Sequence, residues 1–182
     1  MRSTALRPPE VLLIEPSIIA DARGAFCETW NASSFAKAGL DATFVQQNVS
    51  VSRRFVLRGL HYQCPEPQGK LIRVLAGEIF DVVVDLRRSS ADFGRGFSLH
   101  LTGADYRSLW VPPGFAHGFL SLTENTQVQY SVTRYWAPTA EHTLAWNDAD
   151  LAIEWPLPAG TEPILSEKDS RGSSLSVAET FP

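Results

Sequence analysis

Cysteine is scarce. Cys27 and Cys64 are the only two, too few for the disulfide framework of a small secreted domain or for a cysteine-rich zinc site. No histidine spacing marks either one as a nucleophile, so both read as free thiols in a reducing, cytoplasmic setting. Long apolar runs are also absent. None approaches the roughly 20 residues that span a bilayer. The first, Val11-Leu12-Leu13-Ile14, is fenced by Glu10 and Glu15, which suits a strand and not a signal peptide. Nor is there an excess of positive charge. Sixteen Lys and Arg against twenty Asp and Glu give a formal net charge of -4, which argues against general affinity for nucleic acid or anionic lipid. An anionic ligand must be met by a local cluster of arginines.

What is present describes a folded domain. With 182 residues, 44% apolar and 20% charged, the chain can enclose one hydrophobic core, and no internal repeat or linker divides it. Short β-rich runs recur between turn signals: Phe26 to Trp30, Thr43 to Gln47, Leu71 to Leu75, Ile79 to Leu86, Phe97 to Leu101, Ser108 to Val111 and Gln127 to Tyr135. One short helix is expected after Asn31, which can cap it, ending at Gly39. Many short strands with little helix predict an all-β sandwich, jelly roll or small barrel. Asp81 and Asp85 share one face of a strand with Val83. They read as a solvated face or as partners of Arg73 and Arg87. The polar, Ser-rich stretch from Arg171 to Pro182 reads as a mobile tail.

Only four histidines occur: His61, His100, His117 and His142. Pro112-Pro113-Gly114-Phe115-Ala116-His117 matches the Pro-x-Gly-x-x-His segment of the second cupin motif, in which a turn places a histidine inside a barrel. The first cupin motif requires a His-x-His pair, whereas Leu60-His61-Tyr62-Gln63 supplies one histidine. A metal-free cupin-shaped barrel is therefore expected. A lone interior histidine, with an ordinary pKa of about 6.5, suits base work near neutrality. Arg58 and His61 are three apart and would face opposite sides of a regular strand; a bulge at Gly59 would turn both inward.

From about Ile14 to Asp169 the sequence resembles the dTDP-4-dehydrorhamnose 3,5-epimerases. The segments that carry the resemblance are Asp21 to Gly24, Phe44 to Asn48, Leu57 to Gln63, Gln68 to Val74, Phe80 to Arg87, Trp110 to Phe119, Trp146 to Asp148 and Ile153 to Pro156. The resemblance implies a single epimerase domain over residues 1–182, with an all-β, cupin-like jelly-roll barrel and a few short helices. It also implies a homodimer without a cofactor, acting on a dTDP-linked 4-keto-6-deoxyhexose. A ketone at C4 acidifies the hydrogens on C3 and C5, so such an enzyme needs a base, a cation near the oxyanion and an acid.

By the same resemblance His61 is the base, Asp169 the carboxylate that orients it, Lys70 the cation near the ketone and Tyr130 the acid. Arg23 and Arg58 match diphosphate contacts, for which a planar guanidinium fork is suited. Glu28, Gln46 and Asn48 match positions near the thymidine or sugar, Phe26 and Tyr135 could pack against rings, and His117 supports the pocket. Departures from the family pattern, placed on the pocket wall, are Gln47, Ala25, Ser131 and Trp136, which stand for Asp, Phe, Lys and Tyr. The alternatives are a single-centre 3- or 5-epimerase of a related deoxyketosugar, a metal-dependent cupin and a catalytically silent sugar-nucleotide binder.

Overall fold

The computed structural model describes residues 1–182. Thirteen strands carry the fold: β1 (Arg2–Ala5), β2 (Leu12–Glu15), β3 (Ile18–Asp21), β4 (Gly24–Cys27), β5 (Gln46–Ser52), β6 (Leu57–Gln63), β7 (Lys70–Ala76), β8 (Glu78–Asp85), β9 (Gly96–Thr102), β10 (Ser108–Val111), β11 (Phe115–Ser121), β12 (Thr126–Val132) and β13 (Glu141–Thr143). They form a six-stranded sheet in the order β1-β2-β10-β7-β12-β5 and a five-stranded sheet in the order β13-β6-β11-β8-β9. A separate hairpin pairs β3 with β4. All named pairings are antiparallel. The architecture is the cupin-like jelly roll. Ser108–Val111 falls where the sequence puts it, but Thr43 to Gln47 does not: the strand there begins at Gln46 and runs to Ser52.

The two sheets enclose the main core, built from Val11, Ile72, Val74, Ile79, Val83, Leu101, Leu109, Val111, Phe115, Phe119 and Val128. Alternation along β7 explains how one strand serves two sides. Lys70, Ile72 and Val74 face inward, while Leu71 joins an outer cluster with Ile14, Trp110 and Phe35. Phe35 belongs to helix α1 (Ala32–Lys37), whose N-cap is Asn31, its side chain accepting from Ser34 N at 3.1 Å. That cap satisfies one amide left over at the first turn.

Two expectations are corrected here. Residues 171–182 are not a loose tail. Ser173 bridges Leu144, Phe181 bridges Arg87, and Leu175, Ala178 and Phe181 pack on the outer face of the five-stranded sheet. Three apolar anchors placed among serines hide in a composition that averages as polar. Asp81 and Asp85 are likewise not solvated, since both are fully buried and face inward with Val83. Asp85 does pair with Arg87, at 2.7 Å, whereas the partner of Asp81 is His117 and not Arg73. The outer face of β8, with Val82 and Val84, is covered by Leu151, Leu175 and Ala178. An alternating pattern here does not mark a wet face.

Candidate active site

A cavity of about 390 Å³ opens between the two sheets. The five-stranded sheet contributes Arg58, His61 and Gln63 from β6 and His117 and Phe119 from β11. The six-stranded sheet contributes Gln46 and Asn48 from β5, Lys70 from β7 and Tyr130 from β12. The expected irregularity in β6 lets Arg58 and His61 share this face. Opposite β11, His61 pairs with His117 and Arg58 with Phe119, so three steps on one strand match two on the other. Gly59, at φ 124°, is where the extra residue is absorbed. A Cβ there would stand 2.5 Å from Gly118 Cα and 2.9 Å from the His117 carbonyl oxygen, so no other residue fits the close approach.

His61 Nε2 and Asp169 Oδ1 are 2.5 Å apart. Asp169 comes from a short 3-10 helix, Asp169–Arg171, and its backbone N–H is held by Ser166 Oγ at 3.1 Å. With Nε2 engaged by a carboxylate, the ring turns Nδ1 to other work. Burial pushes the imidazole below its ordinary value, against the pull of the Asp169 hydrogen bond and charge. His61 is therefore neutral, and able to take a proton, at neutral pH. Burial acts to raise Asp169, but the His61 hydrogen bond and charge outweigh it and hold the carboxyl below the usual range. Lys70 Nζ donates to the His61 carbonyl oxygen at 2.9 Å, and burial brings its pKa down to about 8. Burial raises Tyr130, with Arg58 opposing, so the phenol stays protonated. An imidazole that can take a proton, a phenol that can give one and a lysine side chain thus meet in one cavity.

Comparison with known proteins agrees. A family model described as dTDP-4-dehydrorhamnose 3,5-epimerase matches residues 5–176. The dTDP-4-dehydrorhamnose 3,5-epimerase of Pseudomonas aeruginosa is 47% identical over 183 residues, covering 100% of both chains. The chain belongs to the dTDP-4-dehydrorhamnose 3,5-epimerase family. The crystal structure of the Legionella pneumophila epimerase RmlC in complex with dTDP-4-keto-L-rhamnose superposes with a TM-score of 0.92 at 41% identity, covering 98% of this chain and 94% of that one. ChmJ, a 3'-monoepimerase from Streptomyces bikiniensis in complex with dTDP-quinovose, gives a TM-score of 0.86 at 34% identity, covering 97% and 88%.

Not every residue that the family pattern suggests reaches this cavity. Arg23 and Phe26 lie on the β3–β4 hairpin and Glu28 just beyond it, away from the lining. The Arg23 side chain is 89% exposed and paired only with Asp21, at 2.6 Å, while Glu28 accepts from Asn31 and Ser34. Tyr135 is 69% exposed and lies outside the cavity, whose wall is formed instead by its neighbour Trp136. Of the four departures from the family pattern, Trp136 alone touches the wall. Gln47 and Ser131 bond to each other at 3.0 Å on the outward side of β5 and β12, and Ala25 sits on the hairpin. Sequence reasoning missed Glu141, Lys168 and Gln68, which line the cavity, and Asp81 behind His117. Lys168 and Glu141 pair at 3.0 Å, tying the loop that bears Asp169 to β13. No motif joins residues that meet only through topology.

Proposed function

We propose that this chain epimerises C3 and C5 of dTDP-4-dehydro-6-deoxy-D-glucose to give dTDP-4-dehydro-L-rhamnose, using its own side chains and no cofactor. The observation that carries this reading is the His61–Asp169 pair facing Lys70 and Tyr130 in one cavity. His61 Nδ1 takes the proton from the carbon next to the ketone, and Asp169 stabilises the imidazolium that forms. The electron pair moves onto O4, where the Lys70 ammonium faces the enolate. Tyr130 returns a proton from the opposite face; His61 then gives its proton to water, the Tyr130 phenolate takes one from water, and with both groups reset the sequence repeats at the second carbon.

Arg58 holds the diphosphate, already braced by Ser52 Oγ at 3.0 Å, with Gln46, Asn48 and His117 placing the nucleoside and sugar. Arg23, Phe26 and Glu28 cannot serve the cavity of their own chain from where they stand. A homodimer in which the β3–β4 hairpin completes the partner's cavity gives them a ligand, and exposed Ile18, Ile19 and Phe26 supply apolar surface for such pairing. No helix is long and apolar enough to cross a membrane, and two free cysteines support a cytoplasmic setting. A second reading, inversion at one centre only, is favoured by one observation, Trp136 on the cavity wall. Incubation with dTDP-4-dehydro-6-deoxy-D-glucose in deuterium oxide, followed by NMR, decides between them. Deuterium with inversion at both C3 and C5 supports the double epimerase, deuterium with inversion at one supports the second reading, and deuterium at neither removes both.

A further inference from the structure

Behind the cavity lies a second histidine–carboxylate pair, in which His117 helps to place the ligand but Asp81 has no task in the reaction described above. Asp81 has no exposed surface and sits on the inner face of β8, between Ile79 and Val83 and opposite Phe119. An apolar side chain would pack there at less cost, since burial pushes the carboxyl above its usual range. Its Oδ2 is 2.8 Å from His117 Nε2, and its Oδ1 is buried with no partner. Asp81 therefore holds one side chain, the His117 imidazole. His117 lines the cavity in cross-strand register with His61, so two histidines, each gripped through Nε2 by a carboxylate, stand side by side.

We propose that Asp81 is a positioning residue that locks His117 as the neutral Nε2–H tautomer, so that Nδ1 accepts a hydrogen bond from the C3 hydroxyl of the sugar. This rests on reading the cavity as the site of a 4-keto-sugar epimerase. A carboxylate at Nε2 accepts the hydrogen carried there, which leaves the Nδ1 lone pair free for a donor from the cavity. An acceptor in that place needs a hydroxyl. The ketone at C4 has a single hydroxyl neighbour, at C3, because C5 carries the methyl group. His117 is then a specificity-determining residue for the oxygen next to the reacting carbonyl.

Two measurements test this on the intact protein. Nitrogen-15 NMR of the wild type, with the His117 signals assigned by their loss in His117→Gln, should show a neutral ring protonated on Nε2. A ring protonated on Nδ1, or on both nitrogens, overturns the proposal without any variant of Asp81 having to fold. The second measurement is deuterium uptake at C5 from the 4-keto sugar and from its 3-deoxy analogue. The wild type should prefer the hydroxylated sugar by at least about 100-fold, because a site built to bond a hydroxyl rejects its absence. Asp81→Asn should lose about 10- to 100-fold on the hydroxylated sugar and less than about threefold on the analogue, so that the preference collapses. Equal losses on both sugars would assign Asp81 a structural role only. Absence of C5 uptake by the wild type would instead sink the reading as a double epimerase, with the tautomer result still standing by itself.

Discussion

The barrel interior and the β3–β4 hairpin carry the two halves of the proposed set of functional residues, under opposite physical conditions. In the barrel, His61, Lys70 and Tyr130 project from long paired strands, and burial shifts all three. On the hairpin, Arg23 is solvated and bonded to Asp21 two residues away, and Phe26 is 69% exposed. Proton transfer needs tuned pKa values and fixed geometry, which only a packed interior supplies. Gripping a diphosphate needs a full positive charge and reach, which a surface hairpin can offer to a neighbouring chain. The difference teaches that chemistry and recognition are separable in this protein, and that each can be broken alone.

The largest break is expected in the barrel. His61→Asn removes the proposed base from a reaction that consists of proton transfer, and deuterium uptake at C3 and C5 should fall about 10⁴-fold, the upper end for a general base. Binding of dTDP, read by calorimetry, should hold within about twofold because the nucleotide end is untouched. Loss of dTDP affinity in that variant would erase the distinction between the two ends. Tyr130→Phe comes next. It keeps the ring and its packing but removes the proton donor, so net epimerisation should drop about 100-fold while solvent exchange without inversion survives better. Equal losses would hand the acid role to another group.

Smaller effects are expected where the ligand is held. Arg58→Lys keeps the charge and loses the planar fork, and dTDP affinity should fall about 10- to 100-fold, as for loss of a charge-assisted contact. An unchanged dissociation constant would show that Arg58 faces the sugar and not the diphosphate. The pH dependence is milder. kcat/KM should fall on the acid side as His61 takes up a proton, at a pH below its ordinary value because burial disfavours the cation. On the alkaline side it should fall near pH 8, as Lys70 gives up the proton that makes it useful to an enolate. A profile flat through that alkaline limb would remove Lys70 from the oxyanion.

Much of the barrel could be read from the chain, for physical reasons that the exceptions make plain. Asn31 and Gly39 mark a helix by capping chemistry, and Ser108–Val111 marks a strand by its apolar run and flanking turn residues; both signals are local. The Gly59 bulge was inferable because an arginine and a histidine three apart can share a face only if a residue is absorbed between them. Asp81 was misread because a carboxyl among valines looks solvated unless it is known that both faces of β8 are covered. The C-terminal strap was misread because Leu175, Ala178 and Phe181 act singly against a sheet that the sequence does not display. Glu141 and Lys168 carry no motif and become partners only when β13 and the loop bearing Asp169 meet. Tyr135 and Trp136 are adjacent aromatics, and only the path of the chain selects which one lines the cavity.

The division between barrel and hairpin is tested most directly by a mixed dimer. His61→Asn and Arg23→Ala chains, co-expressed with different affinity tags and purified on both, combine one chain lacking the base with one lacking the hairpin guanidinium. If each hairpin serves the partner's cavity, the Arg23→Ala chain keeps its own His61 and receives an intact Arg23. The mixed dimer should then recover about half the wild-type kcat/KM, one intact site of two. If the hairpin serves no site at all, the Arg23→Ala homodimer is as active as the wild type; if it serves its own chain, every cavity of the mixed dimer is defective, and a mixed dimer no more active than an impaired Arg23→Ala homodimer would contradict the shared site.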